Sequence, residues 1–162
     1  FSNNATCQIV DIGNANVNSA QFQMFGVGDN QTLFDYDLLQ GEGTDAPQAI
    51  ADGVAELHAV YGLDTNLDGI LDTWVDPGAT GYDIATVMTT PTTLRQIVAV
   101  RIALVLRSSN YEKAIVSPPT LTLFSELPAA VQQTVTLSAN DQHYRYRVVE
   151  STIPLRNMLL AP

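Results

Sequence analysis

The stretch Asp64-Thr65-Asn66-Leu67-Asp68-Gly69-Ile70-Leu71-Asp72 is the part of the chain best suited to chemistry. Oxygen-bearing side chains at its first, third and fifth positions (Asp64, Asn66, Asp68) can converge on one hard cation, because Gly69 lets the backbone turn sharply after them. Ile70 would add a backbone carbonyl, and Asp72 would ligate directly or through water. Leu71 is apolar and suits an anchor to the core. The twelfth position is Val75 rather than a bidentate Glu, with Asp76 one residue later as a substitute. The expectation is a structural Ca²⁺ site with ligands Asp64, Asn66, Asp68, Ile70, Asp72 and Asp76, on strand-like flanks rather than in an EF-hand. The plain alternative is a metal-free turn, since Asp, Asn and Gly favour turns unaided. Mutual repulsion of three Asp side chains within the stretch favours the cation. Mg²⁺ fits less well because it demands tight octahedral geometry. Zinc lacks its ligands, with one Cys in the chain and His58 and His143 far apart.

Other chemistry is thin. No G-x-S-x-G, H-E-x-x-H, P-loop or C-x-x-C occurs. Gly26-Val27-Gly28 lacks a third glycine and falls in a hairpin turn. Asp35 and Asp37 share a strand face and could mimic a carboxylate pair, but a solvated strand face explains them as well. His58 and His143 read as surface or core histidines. The reading is therefore not an enzyme, with no catalytic residues named.

Charge is unevenly spread. Residues 1–94 hold 13 of the 17 acidic groups and no Lys or Arg, while residues 95–162 hold all seven basic groups. Either the two parts neutralise each other within one fold, or acidic and basic faces meet between subunits. The acidic balance makes nucleic acid and anionic membranes poor partners. Cys7 is the only cysteine, so an internal disulfide is impossible and any partner lies outside the chain. The sequons at Asn4 and Asn30 occur easily by chance. No apolar run is long enough for a membrane-spanning helix. The start at Phe1, without a signal peptide, reads as a processed end.

The elements that must position the acidic loop are mostly strands. At 162 residues, with 46% hydrophobic and 15% charged residues, the chain suits one globular domain spanning 1–162. Gln21–Val27 and Thr32–Leu38 alternate around the turn Gly28-Asp29-Asn30, the mark of a β-hairpin. Gln40–Pro47 is a loop; a helical turn is expected at Gln48–Gly53 and a strand at Ala55–Gly62. Gln96–Arg107 is the clearest strand, with Val98, Val100, Ile102, Leu104 and Leu106 on an apolar face and Arg101 and Arg107 on the other. It spans about 35–40 Å and should lie centrally with one face on the core. Ser125–Gln132 suits a helical turn, and Thr134–Leu137 and Tyr144–Thr152 suit strands. The fold class is α+β, dominated by an antiparallel sheet with short helical turns.

Several segments together resemble the PilW-type minor pilins of type IV pili. They are Ile50–Leu57 and Val60–Gly69, the strand Val98–Ser108, and the closing Tyr144–Val148 and Thr152–Asn157. The resemblance covers roughly Leu33 to Asn157. It implies a pilin-like head whose sheet packs against a long N-terminal helix that is missing here. It also implies a subunit of an initiating or tip complex, with other minor pilins and pilin subunits as partners. Membrane contact would run only through that helix, in the inner membrane before assembly and outside the cell in the pilus afterwards. On this reading the Val98–Leu106 face would pack partly on the helix and stay partly exposed without it. Two other functions stay open: an extracellular calcium-stabilised adhesion module, or a secreted hydrolase.

Overall fold

A computed structural model describes residues 23–38 and 47–155. Its chain divides into two compact units, Phe1–Asp52 and Gly53–Pro162. The expected Gln40–Pro47 loop, Cys7, the Asn4 sequon and the tail beyond Leu155 fall wholly or mostly outside the described residues.

In the first unit, β1 (Gln23–Val27), β2 (Thr32–Asp37) and β3 (Gln48–Asp52) form an antiparallel sheet in that order. The hairpin expected from the Gly28-Asp29-Asn30 turn is present. Gly28 N–H donates to Thr32 O at 3.0 Å, and Gln31 N–H to Gly28 O at 3.0 Å. A Cβ at Gly28 would lie 2.7 Å from the Phe34 ring, so any other residue there would have to displace that ring. The helical turn expected at Gln48–Gly53 is not formed; that segment is β3. Its Ala49 and Ala51 pair with Phe34 and Leu33 of β2, and Gly53 at φ +79 ends it. A helix would have had to run through that left-handed residue to use the Ile50–Val54 spacing. Thr32 Oγ1 donates to Asp52 Oδ1 at 3.1 Å and fixes the end of the strand.

The second unit is built on an antiparallel sheet of β4 (Val54–Leu63), β5 (Thr73–Val75), β6 (Ile97–Arg107) and β9 (Tyr146–Pro154), ordered β5-β4-β6-β9. Strand β6 is central, as its alternation predicts. Two short helices, α1 (Ile84–Thr89) and α2 (Pro91–Gln96), precede it, and β7 (Thr120–Leu123) pairs with β8 (Gln133–Thr136). The turn expected in Ser125–Gln132 is a 3₁₀ turn at Ala129–Val131.

The helices were not expected, although both carry local start signals. The Asp83 carboxylate accepts from Thr86 N–H at 3.1 Å and from Thr86 Oγ1 at 2.6 Å, capping α1. Pro91 opens α2, where its missing N–H costs nothing.

The main core gathers Val60, Ala103 and Val105 from β4 and β6 with Leu123, Phe124, Val135 and Leu137. A second cluster sets Val87 of α1 on Leu63 and Ile97. The buried side of β6 is thus not the wholly apolar one. Ile97, Ala99, Ala103 and Val105 are buried on that side, whereas on the apolar side only Val98 is buried and Val100, Ile102, Leu104 and Leu106 are partly so. The reason is steric and electrostatic. Alanines on the semi-polar face let Phe124 and Leu123 approach closely, and Arg101 on that face is paired. Arg101 Nη2 lies 2.7 Å from Glu150 Oε2 and 3.2 Å from Glu126 Oε2. Burial alone would lower the Arg101 pKa, but the hydrogen bonds to Glu150 and Glu126 outweigh it and raise the value. Glu150 Oε1 also accepts from Phe124 N–H at 2.7 Å, so one carboxylate braces both strand and core.

Candidate functional site

The acidic stretch forms the connection between β4 and β5, a hairpin whose neck is Asp72 N–H donating to Leu63 O at 2.7 Å. Asp64, first in the loop, is buried. Its Oδ1 accepts from Asp68 N–H at 3.1 Å and its Oδ2 from Gly69 N–H at 2.6 Å. Asn66 Oδ1 accepts from Asp68 N–H at 3.1 Å, and Asp68 Oδ1 from Ile70 N–H at 2.8 Å. Asp64, Asn66 and Asp68 therefore aim oxygens at the amides of residues 68–70, as short Asx turns do. Gly69 has φ +87, so the turn after the fifth position uses the freedom its glycine provides.

Asp72 stands apart from that trio. Its Oδ2 accepts from Thr65 N–H and Thr65 Oγ1, both at 2.7 Å. The Thr65 hydroxyl first, and then its amide, hold the Asp72 pKa below the ordinary carboxylate range. Asp76 is engaged elsewhere, accepting from Gly78 N–H at 2.6 Å and from Gln133 Nε2 at 2.8 Å. Among the described residues, no three Asp, Glu, His or Cys side chains group in a metal-holding arrangement.

The loop is tied down on two sides. Leu71 lies over Gly62, where a Cβ would come within 2.6 Å of Leu71 Cδ1 and 3.1 Å of Trp74. At the other side, Asp64 N–H donates to Gln96 O at 2.8 Å, and Gln96 Nε2 to Thr65 O at 3.2 Å. The end of α2 thus holds the start of the loop.

Both histidines do structural work. His58 Nε2 is 2.6 Å from Glu56 Oε2, and its Nδ1 is 2.7 Å from Gln133 Oε1. This chain continues through Gln133 to Asp76 and joins β4, β8 and the exit of β5. His143 Nδ1 contacts Glu112 O at 2.8 Å, and its ring stacks on Tyr111 at 4.9 Å. Asp35 and Asp37 sit on β2 in register with Phe25 and Gln23.

A further surface feature is the other side of the large sheet. Register places Leu57 opposite Leu104 and Ala59 opposite Ile102, with Val149 and Ile153 beside Leu104 and Val100. None of these is buried, and Val149 and Ile153 are exposed. The half-buried apolar side chains form a band along β6 from Val100 to Leu106, about 20 Å long.

The family described as type IV pilus-assembly protein W matches residues 16–157. The chain belongs to this family. The match takes in every described element, the acidic loop and the open sheet face. No curated protein and no solved structure matches the chain. The family's description names an assembly role in the type IV pilus and no catalytic activity. No helix among the described residues is long and apolar enough to cross a membrane.

Proposed function

We propose that this chain is the head of a minor pilin-like subunit that helps initiate or assemble the type IV pilus through protein–protein contacts. The observation that carries the reading is the open apolar face of the β4–β6–β9 sheet in a member of a pilus-assembly family. A band about 20 Å long, from Val100 to Leu106, matches an apolar helical stretch of about 13 residues at 1.5 Å per residue. The helix that the family resemblance places before the head is the occupant we assign to it. Its seat would be Leu57, Ala59, Ile102, Leu104 and Leu106. The test is complementation of a deletion strain of the source bacterium. Wild-type gene should restore surface pili, whereas Leu104→Glu should accumulate as a folded head and fail to restore them. Normal piliation in the deletion strain would overturn the proposal and favour a separate adhesion module.

A Ca²⁺ ion stiffening the acidic loop is a second part of the proposal. Its ligands would be Asp64, Asn66, Asp68, Asp72 and Asp76 with the Ile70 carbonyl, each of these side chains also accepting a hydrogen bond. Ligand linkage then stabilises the folded state by RT ln(1 + [L]/Kd), which raises Tm. Identical melting curves in millimolar Ca²⁺ and in chelator would remove the ion from the proposal.

A further inference from the structure

Three pieces of the chain between β4 and β6 meet where Leu63 pairs with Ile97. The acidic loop leaves from Leu63, and its start is bonded to Gln96 at the end of α2. Helix α1 packs Val87 on Leu63 and Ile97, and α2 runs directly into β6. With Val87 on its buried side, α1 turns Ile84 and Met88 outward, one helical turn apart. They are 76% and 70% exposed, the highest values among the described large apolar side chains. Leu94 of α2 and Leu67 and Ile70 of the loop are exposed as well.

The charge around these side chains is almost all of one sign. Residues 64–96 contain five Asp, at 64, 68, 72, 76 and 83, against a single basic residue, Arg95. Asp68 and Asp72 are exposed, and Asp83 is half-buried directly before Ile84. The ion pairs among the described residues use Glu56, Glu112, Glu126, Asp141 and Glu150 and leave all five without a cation. Such a rim repels nucleic acid, anionic membranes and acidic proteins. A purely apolar partner would cover the carboxylates without pairing them, which costs free energy. The complementary surface sets apolar side chains among Lys or Arg.

We propose that this end of the second unit docks a basic amphipathic segment of another protein. Ile84 and Met88 take its apolar side chains, and Asp68, Asp72 and Asp83 face its Lys or Arg. The carboxylates choose the partner and speed its arrival, while the apolar pair holds it in place. The surface shares no residue with the seat assigned to the N-terminal helix, so either assignment can fail without the other. The contact is small, which implies weak binding, with Kd on the order of 10–100 µM at low salt.

The probe is a fluorescent helical peptide of about 18 residues built from Leu and Lys at amphipathic spacing. Its anisotropy is followed as purified protein is added at low ionic strength, in chelator so that no cation enters the loop. The peptide should bind, and binding should fall steeply in high salt. A peptide with every Leu replaced by Ser keeps the charge and should not bind. Met88→Glu and Ile84→Glu should each weaken binding at least about fivefold, although each adds charge that attracts the peptide. Both positions are exposed, so circular dichroism and Tm should not change. No binding of the Leu/Lys peptide up to about 1 mM protein overturns the proposal. So does equal binding of the Ser/Lys peptide, or binding that both Glu variants leave intact. Self-association of the wild type that Met88→Glu abolishes also overturns it, and gives the face to a second copy.

Discussion

Replacing Asp64 by Ala tests whether the acidic loop is a self-supporting hydrogen-bonded structure. Only 2% of Asp64 is exposed, and its two oxygens hold the amides of Asp68 and Gly69 at 3.1 and 2.6 Å. Hydrogen bonds to a charged group contribute roughly 1.5–3 kcal/mol each. The longer one belongs at the low end of that range, and both freed amides can hydrate because residues 68 and 69 are exposed. A net loss of about 3 kcal/mol follows. For a chain of this size that corresponds to a fall in Tm of roughly 6–12 °C. Urea denaturation followed by Trp74 fluorescence should show a lower midpoint at unchanged m-value, because the exposed surface of the unfolded chain is the same. The comparison is run in chelator. A change below about 0.5 kcal/mol would refute the reasoning, since the bonds would then contribute nothing. A loss seen only with Ca²⁺ present would also refute it and assign the carboxylate to the ion.

Glu150→Ala should destabilise by about 3 kcal/mol in urea, since it orphans the Phe124 amide and strips Arg101 of its better partner. Arg101 retains only the exposed Glu126, so Glu150→Gln should recover part of the loss by keeping an acceptor in place. The Asp72 pKa is lowered by Thr65, so the native state binds fewer protons there than the unfolded chain. Its contribution is therefore present above the ordinary carboxylate range near about pH 4 and is lost as the pH falls through the lowered folded value. Asp72→Asn should flatten the acid limb of a stability–pH curve, and an unchanged limb would show that the Thr65 bonds do not select the ionised form.

The parts legible in the sequence are those whose signals are local. The β1–β2 hairpin follows from alternation around Gly28-Asp29-Asn30, and β6 follows from eleven alternating residues. The acidic loop could be located because its Asx turns join residues two to five apart. Other features depend on partners distant in sequence. Ile50 and Val54 have helical spacing, and only the pairing of Ala49 and Ala51 with β2 makes that segment a strand. Which side of β6 is buried turns on Glu150, which comes 49 residues after Arg101 and removes the cost of burying it. The bond of Asp76 to Gln133, 57 residues away, likewise has no local signal. The short helices escaped because Thr and Ile are weak helix formers, although Asp83 and Pro91 marked where they begin.

The ladder of β6 with β4 and β9 has a mechanical meaning. Tension along the strands would load all of its antiparallel hydrogen bonds together, in shear. A pull across them would open the ladder one pair at a time. In the proposed role as a pilus subunit, a load along the filament would run in one direction. The orientation of β6 to that direction therefore sets whether the second unit acts as a rigid link or as a part that yields. The first unit, with three short strands, has less ladder to share such a load.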